Sequence, residues 1–538
     1  MTCDLIVLAG AVHTMDGAGQ SVTAIGIRDG VIAALGDHSE ARHWRGRGTE
    51  IVDLGSATVT PGLVDSHTHP VTGLDFIQGI DLGPARSFDD VLALLAAYAA
   101  EKAADEWVLG WGLDPNTFGD RPLRAESVEM VLGGRPAFLR LFDAHSVLVS
   151  SRALELAGVH GPRQFADRSE IVCDAGIPTG LLLEFGAMNL VEAAVPRLPV
   201  AERADALVKL LTEMASTGLV GGHVMGMELN SDTIAVMQAV EGTGELPLRL
   251  RLATFYHPGS DDDVFEAMVA SQGVSGRRWT VRGIKLFMDG TIDNGTAWLD
   301  EPDCYGRSTH PAWLTPEHYT RVVRDFAGRG VPTSTHAIGD AAVRHVVDAL
   351  GGAGEPAGGR HRVEHLETLP DDLVPAFARA GLVASMQPTH CTFIHDDGAD
   401  NWSTRLGPQR AARGWRCRDL RDAGIPVALG SDWPVAPFDA RAILADAQLR
   451  RRAGRPDQRP FQQAQALTAW MALEGLTTQA AHAAGECEVS GVLAPGRRAD
   501  LTAFAVDPLR ANPDELAEAP ILLTTVHGHI VHRAPSVR

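Results

Sequence analysis

From residue 61 onward, short apolar runs alternate with longer segments of helical pattern, and this alternation restricts the fold more than any other feature. Strands that alternate with helices pair in parallel, because each connection returns the chain to the same end of the sheet. The number of runs suits an α/β fold of the (β/α)8 barrel type. The apolar runs cover residues 63–67, 108–111, 137–142, 218–223, 248–253, 282–287, 331–336, 362–365, 383–387 and 427–432.

Both ends of the chain have a different texture from the middle. Residues 4–60 are brief apolar runs separated by turn pairs such as Asp29-Gly30, and the last fifty residues return to the same pattern. Neither end has enough apolar material for a core alone, so we expect one β-module built from residues 1–60 and 486–538. The barrel then covers residues 61–485. Within it, residues from about 73 to 177 are too long for one connection and predict an insertion near the barrel mouth.

The charge balance and the cysteines bear on partners and location. The chain of 538 residues has 47 basic and 68 acidic side chains and a formal net charge of −21. Nucleic acids and anionic membrane surfaces bind clustered Lys and Arg, so neither is an expected partner. The six cysteines are scattered without a Cys-x-x-Cys pair, no basic signal-peptide start is present, and no apolar run reaches the about 18 residues of a membrane span. These features predict a cytoplasmic protein acting on a small-molecule substrate.

Six residues that bind metals or move protons stand at the ends of predicted strands. The carboxyl ends of barrel strands face one shared mouth, where catalytic groups gather. Two of the six are spaced as His-x-His, so both imidazoles point to the same side of a strand and reach one ion. Imidazole and carboxylate groups bind zinc and similar divalent ions, and the set therefore predicts a metal site. The six residues are His67, His69, Lys285, His336, His365 and Asp432.

Asp432 is the predicted proton shuttle. A divalent ion lowers the pKa of its bound water toward about 7, and a carboxylate is then needed to take the proton and deliver it to a leaving group. Asp432 follows Gly430-Ser431 and precedes Trp433-Pro434, which is typical of a sharp strand exit. A helix N-cap is the alternative role for this aspartate.

Lys285 does not fit a metal site as a plain ammonium, because an ammonium repels a cation. One interpretation is that its amine has captured carbon dioxide, and the resulting carbamate has two oxygens that can bridge two metals. The alternative is an ordinary lysine paired with Asp289 or Asp293, which follow it closely.

These motifs resemble the amidohydrolase superfamily, and the resemblance covers nearly the whole chain. It implies a distorted (β/α)8 barrel and a β-sandwich domain formed by both chain termini. Finer motifs are similar to the branch that includes N-substituted formamide deformylase. The segments that carry the resemblance are 61–69 (PGLVDSHTH), 142–146 (FDAHS), 283–290 (GIKLFMDG), 335–341 (THAIGDA), 362–367 (RVEHLE), 430–435 (GSDWPV) and 491–501 (GVLAPGRRADL).

The resemblance also implies roles for the six residues. His67 and His69 bind the more buried metal, the Lys285 carbamate bridges, and Asp432 contacts the first metal. His336 and His365 bind the second metal. Zinc is the expected ion, with one or two ions per chain. If there are two, carbon dioxide is needed to form the carbamate. The family also implies a homodimer.

Three further residues are candidate substrate contacts. His145 lies on the insertion. One interpretation is that it contacts the substrate at the barrel mouth, and the alternative is an ordinary surface histidine. Asp289 and Trp298 follow Lys285 and would shape the pocket. His223 follows a strand-like run, where a packed core histidine is the commoner outcome.

The leading functional hypothesis is a metal-dependent hydrolase that cleaves a non-peptide carbon–nitrogen bond of the linear amide or N-formyl type. The same site would also serve hydrolysis of a cyclic amide, a carbamate or an ester, or deamination of a ring. A third hypothesis is an inactive metal-binding regulatory protein, against which the complete set of ligands speaks.

Overall fold

The computed structural model describes residues 2–17, 21–229, 231–354, 356 and 358–537. Within these residues the chain forms three β-sheets. It starts with five strands and a short helix of the first sheet, and the turn pair Asp29-Gly30 joins the second and third of these strands. The elements are β1 (Leu5–Val12), β2 (Val22–Arg28), β3 (Val31–Gly36), α1 (His38–Ala41), β4 (Glu50–Asp53) and β5 (Thr58–Pro61).

The chain then forms the first barrel strand, β6 (Leu63–Thr68), and leaves the barrel for an insertion with its own six-stranded sheet. The sheet has the order β11-β12-β10-β9-β8-β7 and continues through Leu183, past the expected limit near residue 177. Its elements are α2 (Thr72–Phe76), β7 (Ile80–Asp81), α3 (Phe88–Ala100), β8 (Val108–Leu113), α4 (Ala125–Leu132), β9 (Ala137–Leu141), β10 (Ser146–Val149), α5 (Ser151–Leu156), β11 (Glu170–Asp174), β12 (Ile177–Leu183) and α6 (Glu184–Glu192).

Helix α3 shows how the insertion acquires a core of its own. Ser87 accepts a hydrogen bond from the backbone N–H of Asp90 and caps the helix N-terminus. Phe88, Val91 and Leu95 are spaced on one helical face, and they are buried against the insertion sheet. The insertion is therefore a packed layer rather than a loop, and it can hold side chains rigidly at the barrel mouth.

Seven further barrel strands complete an eight-stranded sheet in which all neighbours are parallel, with the order β19-β18-β17-β16-β15-β14-β13-β6. The α/β barrel class predicted from the sequence is confirmed. The elements are α7 (Val200–Ser216), β13 (Leu219–Met227), α8 (Thr233–Thr243), β14 (Arg249–Phe255), α9 (Asp262–Ser271), β15 (Trp279–Phe287), α10 (Pro316–Gly328), β16 (Thr333–Ala337), α11 (Asp340–Leu350), β17 (Arg362–His365), α12 (Leu373–Ala380), β18 (Val383–Met386), α13 (Asn401–Ala411), α14 (Cys417–Asp422), β19 (Val427–Leu429), α15 (Ala440–Leu449), α16 (Ala469–Gly475) and α17 (Thr478–Ala484).

The barrel closes where the segment after β19 lies beside β6. The backbone N–H of Asp432 donates to the carbonyl of His67 at 2.7 Å. The Asp65 carboxylate accepts hydrogen bonds from the backbone N–H groups of both His67 and Ser431, at 3.1 and 3.0 Å. A Cβ on Gly430 would lie 2.5 Å from the backbone nitrogen of His67, so only glycine permits this approach. The seam fixes two predicted site residues relative to each other.

The C-terminal strands join the N-terminal ones in a single sheet. These elements are β20 (Leu501–Phe504), α18 (Pro513–Glu518), β21 (Ile521–Val526) and β22 (His529–Arg533). Strand β20 pairs antiparallel with β5, so both termini contribute to one core that includes Ile25, Val59, Leu501 and Leu523. The sheet also curls, because Ile32 of β3 exchanges backbone hydrogen bonds of 2.8 Å with residues 496 and 497, just before β20.

The barrel helices cover the outer face of the parallel sheet. In α7, Leu207, Leu210, Leu211 and Met214 recur at helical spacing and are buried. Among the described residues, no helix combines the length and the apolar character that crossing a membrane requires.

Candidate metal centre and substrate cavity

The six predicted site residues come together at the carboxyl end of the barrel. They line one cavity of about 810 Å³, which is within the size range of ligand sites. His67 lies in β6 and His69 follows it, Lys285 lies in β15, His336 in β16, His365 ends β17, and Asp432 follows β19.

His67, His69 and Asp432 are arranged as metal ligands are. The His67 Nδ1–H donates to Glu364 at 2.6 Å, and the His69 Nδ1–H donates to the carbonyl of Met225 at 2.6 Å. Each ring therefore turns the lone pair of Nε2 toward Asp432, whose Oδ1 lies 3.3 Å from His67 Nε2 and 2.9 Å from His69 Nε2. Lone pairs facing a carboxylate repel unless a proton or a cation lies between them. A divalent cation fits this donor set.

His365 belongs to the same cluster and connects it to His336. The ligand atoms of His67, His365 and Asp432 all lie within 4.8 Å of one another. The ring centroid of His365 is 4.7 Å from that of His67 and 4.4 Å from that of His336. Burial first, and then the charges of neighbouring residues, holds the pKa of His336 and His365 well below the usual range, so both rings are neutral and can act as ligands.

Glu364 and Arg362 support His67 from inside the barrel. They are two residues apart in β17 and point to the same side of it, into the barrel. The Arg362 guanidinium donates to both carboxylate oxygens of Glu364, at 2.8 and 3.0 Å. Burial would raise the pKa of Glu364, but Arg362 and His67 outweigh it and hold that pKa well below the usual range. Glu364 is thus a charged acceptor that fixes the orientation of His67.

Lys285 is buried without a carboxylate partner. Its Nζ lies 4.9 Å above the ring of Phe287, and no described carboxylate comes within 4.0 Å of it. The pairing with Asp289 or Asp293 that was an alternative in the sequence is therefore not formed. Burial lowers the pKa of Lys285 to about 8, which favours a neutral amine compared with an ordinary lysine.

The candidate substrate contacts differ in position. His145 lines the cavity, and its ring centroid is 4.9 Å from that of His336. Asp289 and Trp298 are not among the described residues that line the cavity. The carboxylate of Asp289 instead accepts backbone N–H groups of Trp298, Ile338 and Gly339 at 2.8–3.0 Å. These bonds fix the loop next to His336, and substrate contacts by Asp289 and Trp298 stay predictions.

Two other histidines clarify what the sequence left open. His223 lies inside the barrel and bonds to Arg362 at 2.8 Å, as a core histidine does. His390 was not singled out from the sequence, yet its Nε2 lies 3.9 Å from Asp432 Oδ2 and is buried without a hydrogen-bond partner. The available signal was its position directly after strand β18, in the short 3-10 turn Pro388–Phe393.

The cavity walls combine barrel and insertion residues and are rich in aromatic rings. Phe255 and Phe287 come from the barrel, and Phe142 and Phe185 come from the insertion. Apolar walls around a small polar centre are typical of sites that bind organic small molecules. The site could thus hold a substrate with a sizeable apolar group close to the histidine cluster.

An eight-stranded parallel barrel with histidines and a carboxylate clustered at the carboxyl ends of its strands defines a metal-dependent hydrolase. The chain belongs to the amidohydrolase family, whose sequence pattern matches residues 50–532. It is 28% identical to the putative amidohydrolase YtcJ of Bacillus subtilis over 97% of this chain and 98% of that protein.

One further relative is similar in sequence, and one solved structure is similar in fold. The N-substituted formamide deformylase of Arthrobacter pascens is 26% identical over 98% of this chain and 97% of that protein. An uncharacterized metal-dependent hydrolase from Pyrococcus horikoshii has the same fold, with a TM-score of 0.72 and 22% identity over 95% of this chain and 99% of that one.

Proposed function

We propose that the protein hydrolyses a carbon–nitrogen bond other than a peptide bond, in a linear amide or an N-formyl compound. The observation that carries the proposal is the convergence of the His67 and His69 lone pairs on the Asp432 carboxylate at the floor of the cavity. A full-length relative named N-substituted formamide deformylase supports the choice of bond. The aromatic walls support an apolar substituent on the substrate nitrogen.

The residues that would hold a divalent ion, with zinc the expected one, are His67, His69, His365 and Asp432. When bound, the ion supplies acidification of water toward a pKa of about 7 and polarisation of the scissile carbonyl. Burial would raise the pKa of Asp432, but His67 outweighs it and keeps that pKa well below the usual range. Asp432 is therefore ionised and ready to take the proton of the attacking water and pass it to the leaving nitrogen.

A second ion is proposed to depend on Lys285. The neutral amine of Lys285 would attack the carbon of carbon dioxide, so that a nitrogen–carbon bond forms while one C=O π pair moves to oxygen. The nitrogen would then lose its proton to water and leave a carbamate. The buried position of Lys285, which has no carboxylate partner among the described residues, supports this reaction. The carbamate, His336 and His365 would hold the second ion. A cytoplasmic location and a homodimer stay predictions.

The test combines metal analysis with turnover. The purified chain is loaded with zinc, and its metal content is measured by elemental analysis. It is then assayed against N-substituted formamides, linear amides, lactams, carbamates and esters of matched size. We expect at least one zinc per chain and release of formate and amine from the formamides.

Variants separate the site from the rest of the molecule. His67→Ala should lose metal and turnover together, because the remaining ligands no longer enclose the ion. His13→Ala is the matched control, since His13 also bonds a carboxylate, Asp507 at 2.8 Å, but lies in the terminal sheet. A zinc-loaded chain that turns over lactams or esters while leaving formamides and linear amides intact would refute the proposed bond. No bound metal together with no turnover after loading with zinc would refute the enzyme.

A further inference from the structure

A second histidine–carboxylate pair reaches the cavity from the insertion. The Nδ1–H of His145 donates to Glu184 at 2.8 Å, and the backbone N–H of Glu184 donates to the carbonyl of His145 at 2.8 Å. The two residues face each other because His145 precedes β10, Glu184 follows β12, and these strands pair antiparallel with Ser146 opposite Leu183. The insertion sheet therefore sets the geometry of the pair.

The backbone and the surroundings of Glu184 show that this geometry is held against a cost. Glu184 has a φ of +65°, in the left-handed region that favours glycine. Its Oε1 is buried without a hydrogen-bond partner. Gly290 makes room for this oxygen, because a Cβ there would lie 2.0 Å from it. Strained residues with unpaired buried atoms that persist in a fold are concentrated at functional sites.

The His145 ring is directed at the reacting region. It is packed between Phe185, Phe287 and His336, with ring centroids 5.3, 5.4 and 4.9 Å away. Because Nδ1 is occupied by Glu184, Nε2 is the ring nitrogen that remains for the cavity. His67 is held in the same way by Glu364, with its Nε2 turned to the site. The pair thus has the form of an oriented functional histidine rather than of a core histidine.

We propose that Nε2 of His145 forms a hydrogen bond with the scissile group of the substrate, and that Glu184 is the positioning residue that orients it. The scissile group is the reasonable partner because His145 lines the cavity and packs against His336. This inference rests on the proposed function for the presence of a scissile carbonyl.

The kinetic test is a double-mutant cycle in the zinc-loaded chain with its best formamide substrate. We expect His145→Ala to lower kcat by about 10²–10³-fold, as removal of one hydrogen-bonding group at a reacting centre does, with little change in KM. Glu184→Gln, which keeps an acceptor but not the charge, should lower kcat by less. In the His145→Ala background, changing Glu184 to Gln should cost nothing more. His13→Ala is the control, and metal content should stay unchanged throughout.

A second readout does not need turnover. In the metal-free protein the shared proton on His145 Nδ1 should give a low-field proton resonance that disappears in His145→Ala and moves upfield in Glu184→Gln. Acetohydroxamate, a zinc chelator that carries a carbonyl oxygen, should bind the zinc-loaded His145→Ala chain at least about tenfold more weakly than the wild type.

The outcomes separate the two proposals. Absence of turnover in the wild type with every substrate would refute the proposed function, while the resonance and the hydroxamate affinities would still decide about His145. Unchanged kcat and hydroxamate affinity in His145→Ala would overturn the inference. An effect of Glu184→Gln that is additive with His145→Ala would also overturn the inference, because the two residues would then act independently. Loss of zinc in either variant would overturn it too, because the pair would then serve folding or metal binding.

Discussion

Two buried histidines that line the cavity are each paired with a glutamate, and the two pairs are built differently. His67 and Glu364 both belong to barrel strands, and Arg362 neutralises the carboxylate. His145 and Glu184 belong to the insertion, no arginine or lysine among the described residues bonds to Glu184, and one carboxylate oxygen has no partner. Both carboxylate oxygens of Glu364 are thus bonded to Arg362, whereas only one oxygen of Glu184 has a partner among the described residues.

The difference indicates that the barrel serves metal binding and the insertion serves substrate contact. A metal ligand has to be held whether or not substrate is present, and the rigid barrel strands with Arg362 provide that support. A substrate contact has to differ between relatives that act on different molecules. Placing it on the insertion separates specificity from metal binding, because the insertion has its own core.

The largest effect is expected from a substitution of Asp432, on the barrel side of the cavity. Asp432→Asn removes the proton acceptor but keeps the backbone N–H that closes the barrel, so we expect kcat to fall by about 10²–10⁴-fold in a folded protein. Steady-state kinetics with a formamide and a thermal unfolding curve measure the two effects. Asp507→Asn is the matched control outside the cavity. A tenfold or smaller loss would assign the proton transfer to another group.

His361 sharpens the comparison, because it is a buried histidine that has no carboxylate partner among the described residues. Burial lowers its pKa to about 4, so the folded protein keeps it neutral where the unfolded chain, with a pKa near 6.5, takes up a proton. Stability is therefore full above pH 6.5 and falls as the pH decreases from 6.5 to 4, by about 3 kcal/mol. Chemical unfolding of the metal-free wild type and of His361→Asn across this range should show the difference. Parallel pH profiles of the two proteins would contradict it.

The two glutamates allow a direct test of the division of tasks. Glu364→Gln should weaken zinc binding by about 10–100-fold, because a neutral amide can orient the His67 ring but does not raise its basicity as a carboxylate does. Glu184→Gln should leave zinc affinity unchanged. Competition with a chromogenic chelator measures both constants. Equal losses in the two variants would mean that both pairs support the metal and that the comparison is wrong.

The smallest expected effect concerns Gly290, which accommodates Glu184. Gly290→Ala would place a methyl group against the free end of the Glu184 side chain, and we expect a loss of about 1 kcal/mol of stability together with a lowered kcat. Gly242→Ala is the control, since a Cβ there meets nothing within 4 Å inside helix α8, and it should stabilise by about 0.8 kcal/mol. Chemical unfolding compares them, and equal changes in both would show that the Glu184 pocket tolerates a side chain.

The sequence was sufficient for the barrel and for the histidines and the carboxylate that meet at the carboxyl ends of its strands. His67, His336 and His365 could be found because residues that bind metals are rare at the ends of apolar runs and have no other reason to be there. The strand that ends at His365 also contains the charged residues Arg362 and Glu364. Two opposite charges in a buried strand have to pair, so the pattern also indicates an ion pair between Arg362 and Glu364 next to the site.

The rest depended on tertiary geometry that spacing does not reveal. Glu184 faces His145 only because of the register between β10 and β12, which no local pattern specifies. The three backbone N–H groups that bond to the Asp289 carboxylate likewise come from positions that the sequence spacing does not bring together. The sequence shows that an aspartate lies near a site, but it does not show whether its carboxylate is already hydrogen-bonded.

The hydrogen bond between Asp432 and His67 joins the first barrel strand to the segment after the last one. During synthesis, His67 leaves the ribosome long before Asp432 does, and contacts so distant in sequence form late in folding. A nascent chain that ends before Asp432 therefore lacks both the closing bond and the carboxylate that completes the ligand set. If the proposed metal site is correct, tight binding of its ion is reserved for finished, closed barrels, and an incomplete chain does not compete with them for it.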